Sequence, residues 1–344
     1  MFIVENYTTA ILFCIVTMLC WGSWANTQKL AQKSWRFELF YWDYVTGILL
    51  FSIFSAITLG SIGTQGRSFI NDLQQASSSN IISAIIGGVI FNAANILFSA
   101  AIAIAGMSVA FPVGIGIALV LGVILNYAVS QKGDPLFLCA GVACVIIAIL
   151  LNASAYSKAK VAVIQEGPVP VKKGVRINEK GLLLSIVAGI LMSFFYRFIA
   201  ASMDIENFQS PAAGKMTPYT AVFIFSVGIF ISNFLFNSIL MRKPITGLPV
   251  TYKDYFKGNI KTHLVGILGG LIWGLGNSFN LIAAGKAGPA ISYGLGQGAT
   301  LIAACWGVFV WKEFKGASSS TNQLLAVMFL FFVIGITLII YAGN

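Results

Sequence analysis

Ten stretches of mostly apolar residues divide this chain, at 8–29, 38–61, 80–105, 108–130, 136–155, 180–203, 216–241, 262–287, 289–311 and 323–342. At ~1.5 Å of rise per residue, each is long enough as a helix to cross a hydrocarbon layer ~30 Å thick. With 58% hydrophobic and 9% charged residues, the chain has too little polar surface to enclose so much apolar side chain in water. The expectation is an all-α membrane protein of ten transmembrane helices, with the lipid bilayer as its first partner. Glu5 and no Lys or Arg precede the first stretch, so it reads as a retained span rather than a signal peptide.

The net charge of +10 does not require nucleic acid, because the basic residues sit in short loops between spans. Sixteen Lys and Arg fall on the side of the first connection, among them Lys29, Arg36, Lys158, Lys180, Lys257 and Lys315, against Arg67, Lys132, Lys215 and Lys286 on the other. That asymmetry puts the first connection in the cytoplasm and both termini outside, in a cell (inner) membrane. Cys14, Cys20, Cys139, Cys144 and Cys305 form no CxxC and read as packing residues. The single histidine, His263, leaves no zinc site, and no GxxxxGK[ST] stretch is present to bind ATP. No metal or cofactor is expected, and uphill transport would run on an ion gradient.

Self-similarity organises the chain further. Sliding it by 182 residues lays GGVIFNAANILFSAAIAIAGMSVAFPVGIGIAL, from Gly87, on GGLIWGLGNSFNLIAAGKAGPAISYGLGQGATL, from Gly269, with ten identities in 33 positions and no gap. The identities include Gly88 with Gly270, Asn95 with Asn277, Gly106 with Gly288 and Gly116 with Gly298. A weaker echo pairs Tyr44 with Tyr219. The predicted units are an N-terminal five-helix repeat at 1–155, a basic cytoplasmic linker at 156–179 and a C-terminal five-helix repeat at 180–344. Five is odd, so the second copy is expected to enter the membrane from the opposite face. Inverted repeats of this kind are common in secondary transporters, with the solute near the midplane.

Polar groups at mid-depth mark the candidate site, because an amide left unpaired in hydrocarbon costs about 2–7 kcal/mol. Asn95 and Asn277 fall near the middle of their spans, with Asn92 and Asn280 on the same helical faces. Trp21 and Trp24 share a face of the first span, with Asn26 just beyond, and Tyr293 and Gln297 stand one turn apart in the ninth. Flat aromatic faces with a few hydrogen-bonding groups suit a planar or ring-shaped neutral solute. The competing reading is structural: Asn95 and Asn277 staple two helices, and Trp21 packs. Ionisable groups inside spans are rare and point to function. Asp43 is the candidate for proton coupling, unless it pairs with Lys29. Arg197 would orient a solute carbonyl or pair with Asp204 or Glu206.

The stretches CWGSWANTQKL, YWDYV, PYTAVFIFSVGIFISN, RKPITGLP, GGLIWGLGNSFNLIAAGKAG and WGVFVWKEFKG resemble the ureide permeases of plants, a branch of the drug/metabolite transporter superfamily. The resemblance implies two inverted five-helix repeats and proton-coupled uptake of allantoin-like ureides and of nucleobases such as uracil. Related branches carry glucose, ribose or rhamnose. Asp43, Tyr44, Asn277 and Gln297 stand in stretches that match, whereas the short central loop lacks the nucleotide-binding-like motif of plant members. The expected function is proton-coupled import of a small neutral polar solute, ureide, nucleobase or sugar, by alternating access. The alternatives are a drug/metabolite exporter and Na+-coupled sugar uptake. An enzyme is not expected, since paired carboxylates and metal ligands are missing from the spans.

Overall fold

In hydrocarbon every backbone N–H and C=O must find its partner inside the chain, so apolar stretches of this length can only be helices. The computed structural model describes residues 1–32, 34–105, 110–165 and 179–343. Ten helices within it are long and apolar enough to span a bilayer: α1 Tyr7–Ala31, α2 Phe37–Ile57, α3 Ser78–Ala105, α4 Phe111–Val129, α5 Pro135–Ala159, α6 Glu179–Ala201, α7 Pro218–Arg242, α8 Ile260–Ala287, α9 Pro289–Val310 and α10 Ser319–Tyr341. The chain is an all-α, multi-pass membrane protein. Gly106 and most of the linker at 156–179 lie outside the described residues.

The helix starts follow local chemistry. Asn6, Asn259 and Ser318 cap α1, α8 and α10 by accepting the N–H groups of Thr9, Thr262 and Thr321. Pro218 and Pro289 occupy first-turn positions of α7 and α9, where a missing N–H is no loss. The α8–α9 turn depends on Gly288, whose φ of 83° a side chain would resist. One boundary differs from expectation: the fifth helix continues to Gln165, ten residues beyond 155. The residues KAKVAVIQ contain neither Gly nor Pro, so nothing breaks the helix before Gly167 and Pro168.

The packing repeats itself between the two halves. Helix α3 packs on α6, and α8 on α1; α2 packs on α8, and α7 on α3; α4 packs on α6, and α9 on α1. Each pair becomes the next when every helix is exchanged for the one five places away. Glycines set the closest approaches. A Cβ on Gly270 would lie 2.0 Å from the Tyr44 carbonyl oxygen, and one on Gly88 2.1 Å from that of Phe225. Likewise Gly47 would meet the Ile267 carbonyl at 2.2 Å, and Gly228 that of Ile85 at 2.6 Å. Small residues allow helices this close a backbone contact, in which dispersion and weak polar contacts replace the hydrophobic drive that lipid removes. These contacts correct the weaker echo: Tyr44 corresponds to Phe225 rather than Tyr219, which aligns Gly47 with Gly228.

Helices α5 and α10 pack chiefly on one another at the periphery. Only 28% of the apolar window of α10 is buried, against 61% for α2 and α8. Its outer face carries Leu330, Val333 and Ile334, in keeping with contact to acyl chains.

Candidate functional site

Three spans keep a helical path but change their hydrogen-bonding pattern part-way, and these irregular turns meet. Helix α1 changes at Trp24, between Tyr7–Ser23 and Ala25–Ala31. Helix α4 opens with a π-turn, Phe111–Ile115, before Gly116–Val129. Helix α9 changes at Gly298, between Pro289–Gln297 and Ala299–Cys305. In the 182-residue alignment Ile115 and Gly116 match Gln297 and Gly298, so both copies change at the same place. The backbone there stays bonded, Trp24 N–H to the Cys20 carbonyl and Gly298 N–H to that of Leu295, and such irregular turns are tolerated in a membrane where they border a cavity or buried protein.

Between these turns lies a hollow of about 40 Å³, room for the centres of about three waters at ~10–15 Å³ each. Trp21 and Trp24 come from α1, Phe91 and Asn95 from α3, Phe195 from α6, Trp273 from α8, and Gln297 and Thr300 from α9. Among the described residues that line it, none is charged. The rings of Trp21 and Trp273 stand nearly parallel, 7° apart with centroids at 5.8 Å, and Phe91 packs against Trp273 at 4.2 Å. Trp21 Nε1 is buried without an acceptor, and Asn95 Nδ2 donates to Tyr41 Oη at 3.2 Å.

Of the residues singled out from sequence, Trp21, Trp24, Asn95 and Gln297 meet at this hollow, and the others do not. Asn26 accepts from Trp311 Nε1 at 2.7 Å. Asn92 donates to Ser232 Oγ at 3.0 Å, and Asn280 to the Ser292 carbonyl at 2.7 Å. Tyr293 reaches across to the carbonyls of Ala118 and Met192, 3.2 Å from each. Asn277 is buried with its Oδ1 unpartnered, and no bond joins it to Asn95, so that helix staple is absent. Arg197 is exposed and makes no ion pair among the described residues: Asp204 accepts the Ala212 N–H instead, and Glu206 lies 3.7 Å from Lys132. A long cationic side chain near a helix end gains more from water than from a partner it must desolvate.

Sequence reasoning passed over Trp273 and Phe91. They occupy the same position of the duplicated segment, and a search for identities does not register an aromatic exchanged for another. A search for shared shape would have found them.

Asp43 is buried, 1% exposed, at the start of α2, and Lys29 is not its partner. Lys29 is drawn to Glu313, 2.5 Å away. Three donors converge on Asp43 instead: Tyr255 Oη on Oδ1 at 2.6 Å, His263 Nδ1 beside Oδ1 at 2.8 Å, and Trp35 Nε1 on Oδ2 at 3.2 Å. Tyr255 belongs to a short helix, Tyr252–Phe256, capped by a reciprocal Thr251–Asp254 pair. That pair holds the Asp254 carboxyl below its ordinary range. Burial, then the Asp43 carboxylate, pushes the Tyr255 phenol well above its usual value, so its hydroxyl keeps the proton it donates. Helix α2 links this cluster to the hollow. Tyr44 packs on Trp24 with centroids 4.8 Å apart, and Tyr41 holds Asn95.

Comparison with known proteins places the chain in a group. The family model described as ureide permease matches residues 40–166 and 158–342. Ureide permease 1 of Arabidopsis thaliana is 25% identical over all of this chain and 99% of its own length, and ureide permease 4 is 26% identical over the same shares. Transmembrane protein 144 homolog B of Dictyostelium discoideum is 26% identical over 46% of this chain and 40% of its own. A solved crystal structure superposes with a TM-score of 0.58 at 15% identity, covering 97% of both chains, a likeness of fold alone. With a family match running from α2 to α10 and relatives aligned along their full length, the chain belongs to the ureide permease family.

Proposed function

We propose that this protein imports a small neutral solute with a planar ring, of the ureide or nucleobase class, by proton-coupled alternating access about the hollow between its two halves. The observation that carries this reading is the hollow itself, with no charge among its described lining residues, walled by aromatic rings and sited where irregular turns of three helices meet. Relatives named ureide permeases support the solute class. Aromatic faces complement the π-face of a heterocycle, while Trp21 Nε1, Asn95 and Gln297 offer donors and acceptors to its carbonyl and N–H groups. The absence of a carboxylate among the described lining residues speaks against export of cationic drugs. A sugar is the second reading, since the same rings cover the apolar face of a pyranose.

The recurrence of helix pairs and glycine contacts supports two oppositely oriented five-helix copies, the architecture in which one half rocks against the other. Asp43 is the proposed proton site, shared with His263. Its link through α2 to Trp24 and Asn95 gives protonation a short mechanical path to the solute. Purified protein in liposomes, offered labelled uracil, allantoin, glucose and rhamnose, tests the solute class. Asp43→Asn should abolish accumulation driven by a pH gradient while leaving solute exchange within about twofold of wild type, at the scale of ordinary context effects. Loss of both would assign Asp43 to structure.

A further inference from the structure

A second, smaller hollow of about 20 Å³ adjoins the first. Phe111 and Thr300 line both, and Asn152, Tyr156 and Ala303 line only the second. Asn152, on α5, is 8% exposed, and its Oδ1 has no hydrogen-bond partner. An acceptor buried this way calls for a donor that the protein does not supply.

The far wall of this hollow is a latch. Tyr156 Oη donates to Glu313 Oε2 at 2.5 Å, and the other oxygen of Glu313 takes Lys29 Nζ at 2.5 Å. Lys29 Nζ also sits 4.4 Å from the centre of the Trp311 ring. The backbone is bent to make this arrangement. A π-turn at Trp306–Val310 ends α9, and Lys312, at φ 52°, is the one non-glycine with positive φ among the described residues. A Cβ on Gly307 would lie 2.5 Å from Tyr156 Oη and 3.0 Å from Glu313 Oε2, so only glycine leaves them room.

The latch ends a seam of polar contacts running along α1 in steps of three residues. Trp306 Nε1 donates to Ser23 Oγ at 2.9 Å, Trp311 Nε1 to Asn26 Oδ1 at 2.7 Å, and Lys29 to Glu313. Close glycine packing is common to this seam and the matching α4–α6 one, a Cβ on Gly22 lying 2.5 Å from the Ala299 carbonyl oxygen and one on Gly189 2.5 Å from that of Gly114, so the polar contacts are what α1 adds from Ser23 onward. Half-exposed polar contacts each contribute about 0–1 kcal/mol, whereas close glycine packing opens only by separating backbones. Beyond Gly22, the Ser23–Asn26–Lys29 end of the α1–α9 seam can therefore part while the glycine contact holds.

We propose that the Asn152 hollow is an inner station on the solute's path, reached between Phe111 and Thr300, where Asn152 accepts a hydrogen bond from the same small neutral solute. Parting of the Lys29–Glu313–Tyr156 latch then opens the station to water on that face. This rests on the transport reading above.

Two measurements test it. In vesicles, Ala303→Cys is exposed to a membrane-impermeant methanethiosulfonate from either face, with peptide mass mapping to separate it from the five native cysteines. Adding Glu313→Ala, or Lys29→Met, should speed its modification at least tenfold, from the Lys29 face alone. In liposomes, Asn152→Leu should lower exchange of labelled uracil at least tenfold while equilibrium uracil binding in detergent stays at the wild-type level, and Asn152→Ser should recover part of the rate. Equal reactivity with the latch intact or removed, or modification from the opposite face, overturns the proposed mouth. Undiminished exchange in Asn152→Leu overturns the station and leaves Asn152 with a bound water only, and lost uracil binding makes its role structural. Failure of the wild-type protein to exchange any solute sinks the transport reading and the station together, while the labelling arm still decides whether the latch guards a mouth.

Discussion

In the proposed site a single indole stands out. Trp21 Nε1 is buried with no acceptor, a group that costs the protein free energy until something accepts its proton. Trp21→Phe keeps the aromatic face and removes the donor. If a solute carbonyl completes it, the Kd for that solute rises roughly five- to tenfold, the worth of about 1 kcal/mol. Thermal stability of the empty protein should hold or rise, because an unpaired polar atom has been removed. Unchanged affinity in equilibrium binding would take Trp21 out of solute recognition. Trp21 was legible in the sequence because its depth is unusual for a membrane tryptophan. The partners of Asp43 were not, since His263 and Tyr255 stand 220 and 212 residues away along the chain. Loop and helix must fold back before that chemistry exists. Polarity at mid-depth did not separate Asn95, which borders the hollow, from Asn92, which bonds to a neighbouring helix. Which way a helix face points is set by its neighbours, and these lie outside any local pattern.

At the scale of elements, glycine contacts decide how closely the helices pack. Gly270→Ala drives a methyl into the Tyr44 carbonyl at 2.0 Å and must push α8 from α2, at a cost of about 1–3 kcal/mol. Gly88→Ala should cost as much at the α3–α7 crossing, where the same approach is 2.1 Å. Gly116→Ala is the contrast: its nearest neighbour is 4.0 Å away, and the exchange in a helix favours alanine by up to about 1 kcal/mol. Thermal unfolding in detergent, followed by intrinsic fluorescence, should show the first two lowered and the third level or raised. Because α2 carries Asp43 and Tyr44, Gly270→Ala should also slow gradient-driven uptake more than Gly88→Ala does. The duplicated glycines marked close helix packing in the sequence, but neither which helices meet there nor the register of α2 against α7, where few identities survive.

For the whole molecule, the distribution of basic loops predicts orientation. Thr64→Cys, exposed in the α2–α3 connection, and Lys257→Cys, exposed before α8, should take an impermeant thiol reagent from opposite faces. In intact cells Thr64→Cys should be modified rapidly and Lys257→Cys only after permeabilisation. The reverse result would turn the protein over in the membrane, and the proposed direction of the solute path with it. Ten spans were legible in composition, because lipid permits one secondary structure, whereas which helices pack on which emerges only in the fold, where the same contacts recur in both halves. The hollow was only partly legible, since even within the best-matched segment the lining side chains differ, Gln297 standing where the other half has Ile115 and Thr300 where it has Ala118.

That divergence has a consequence for the solute. Phe91 and Trp273, equivalent in the repeat, both face the hollow, whereas of the equivalent pair Asn95 and Asn277 only the first does. A socket with full two-fold symmetry would hold a guest equally well in either of two flipped poses. In this one Asn95 faces the hollow while Asn277 does not, and Gln297 has the apolar Ile115 as its equivalent, so the proposed socket would favour one pose of its guest over the flipped one.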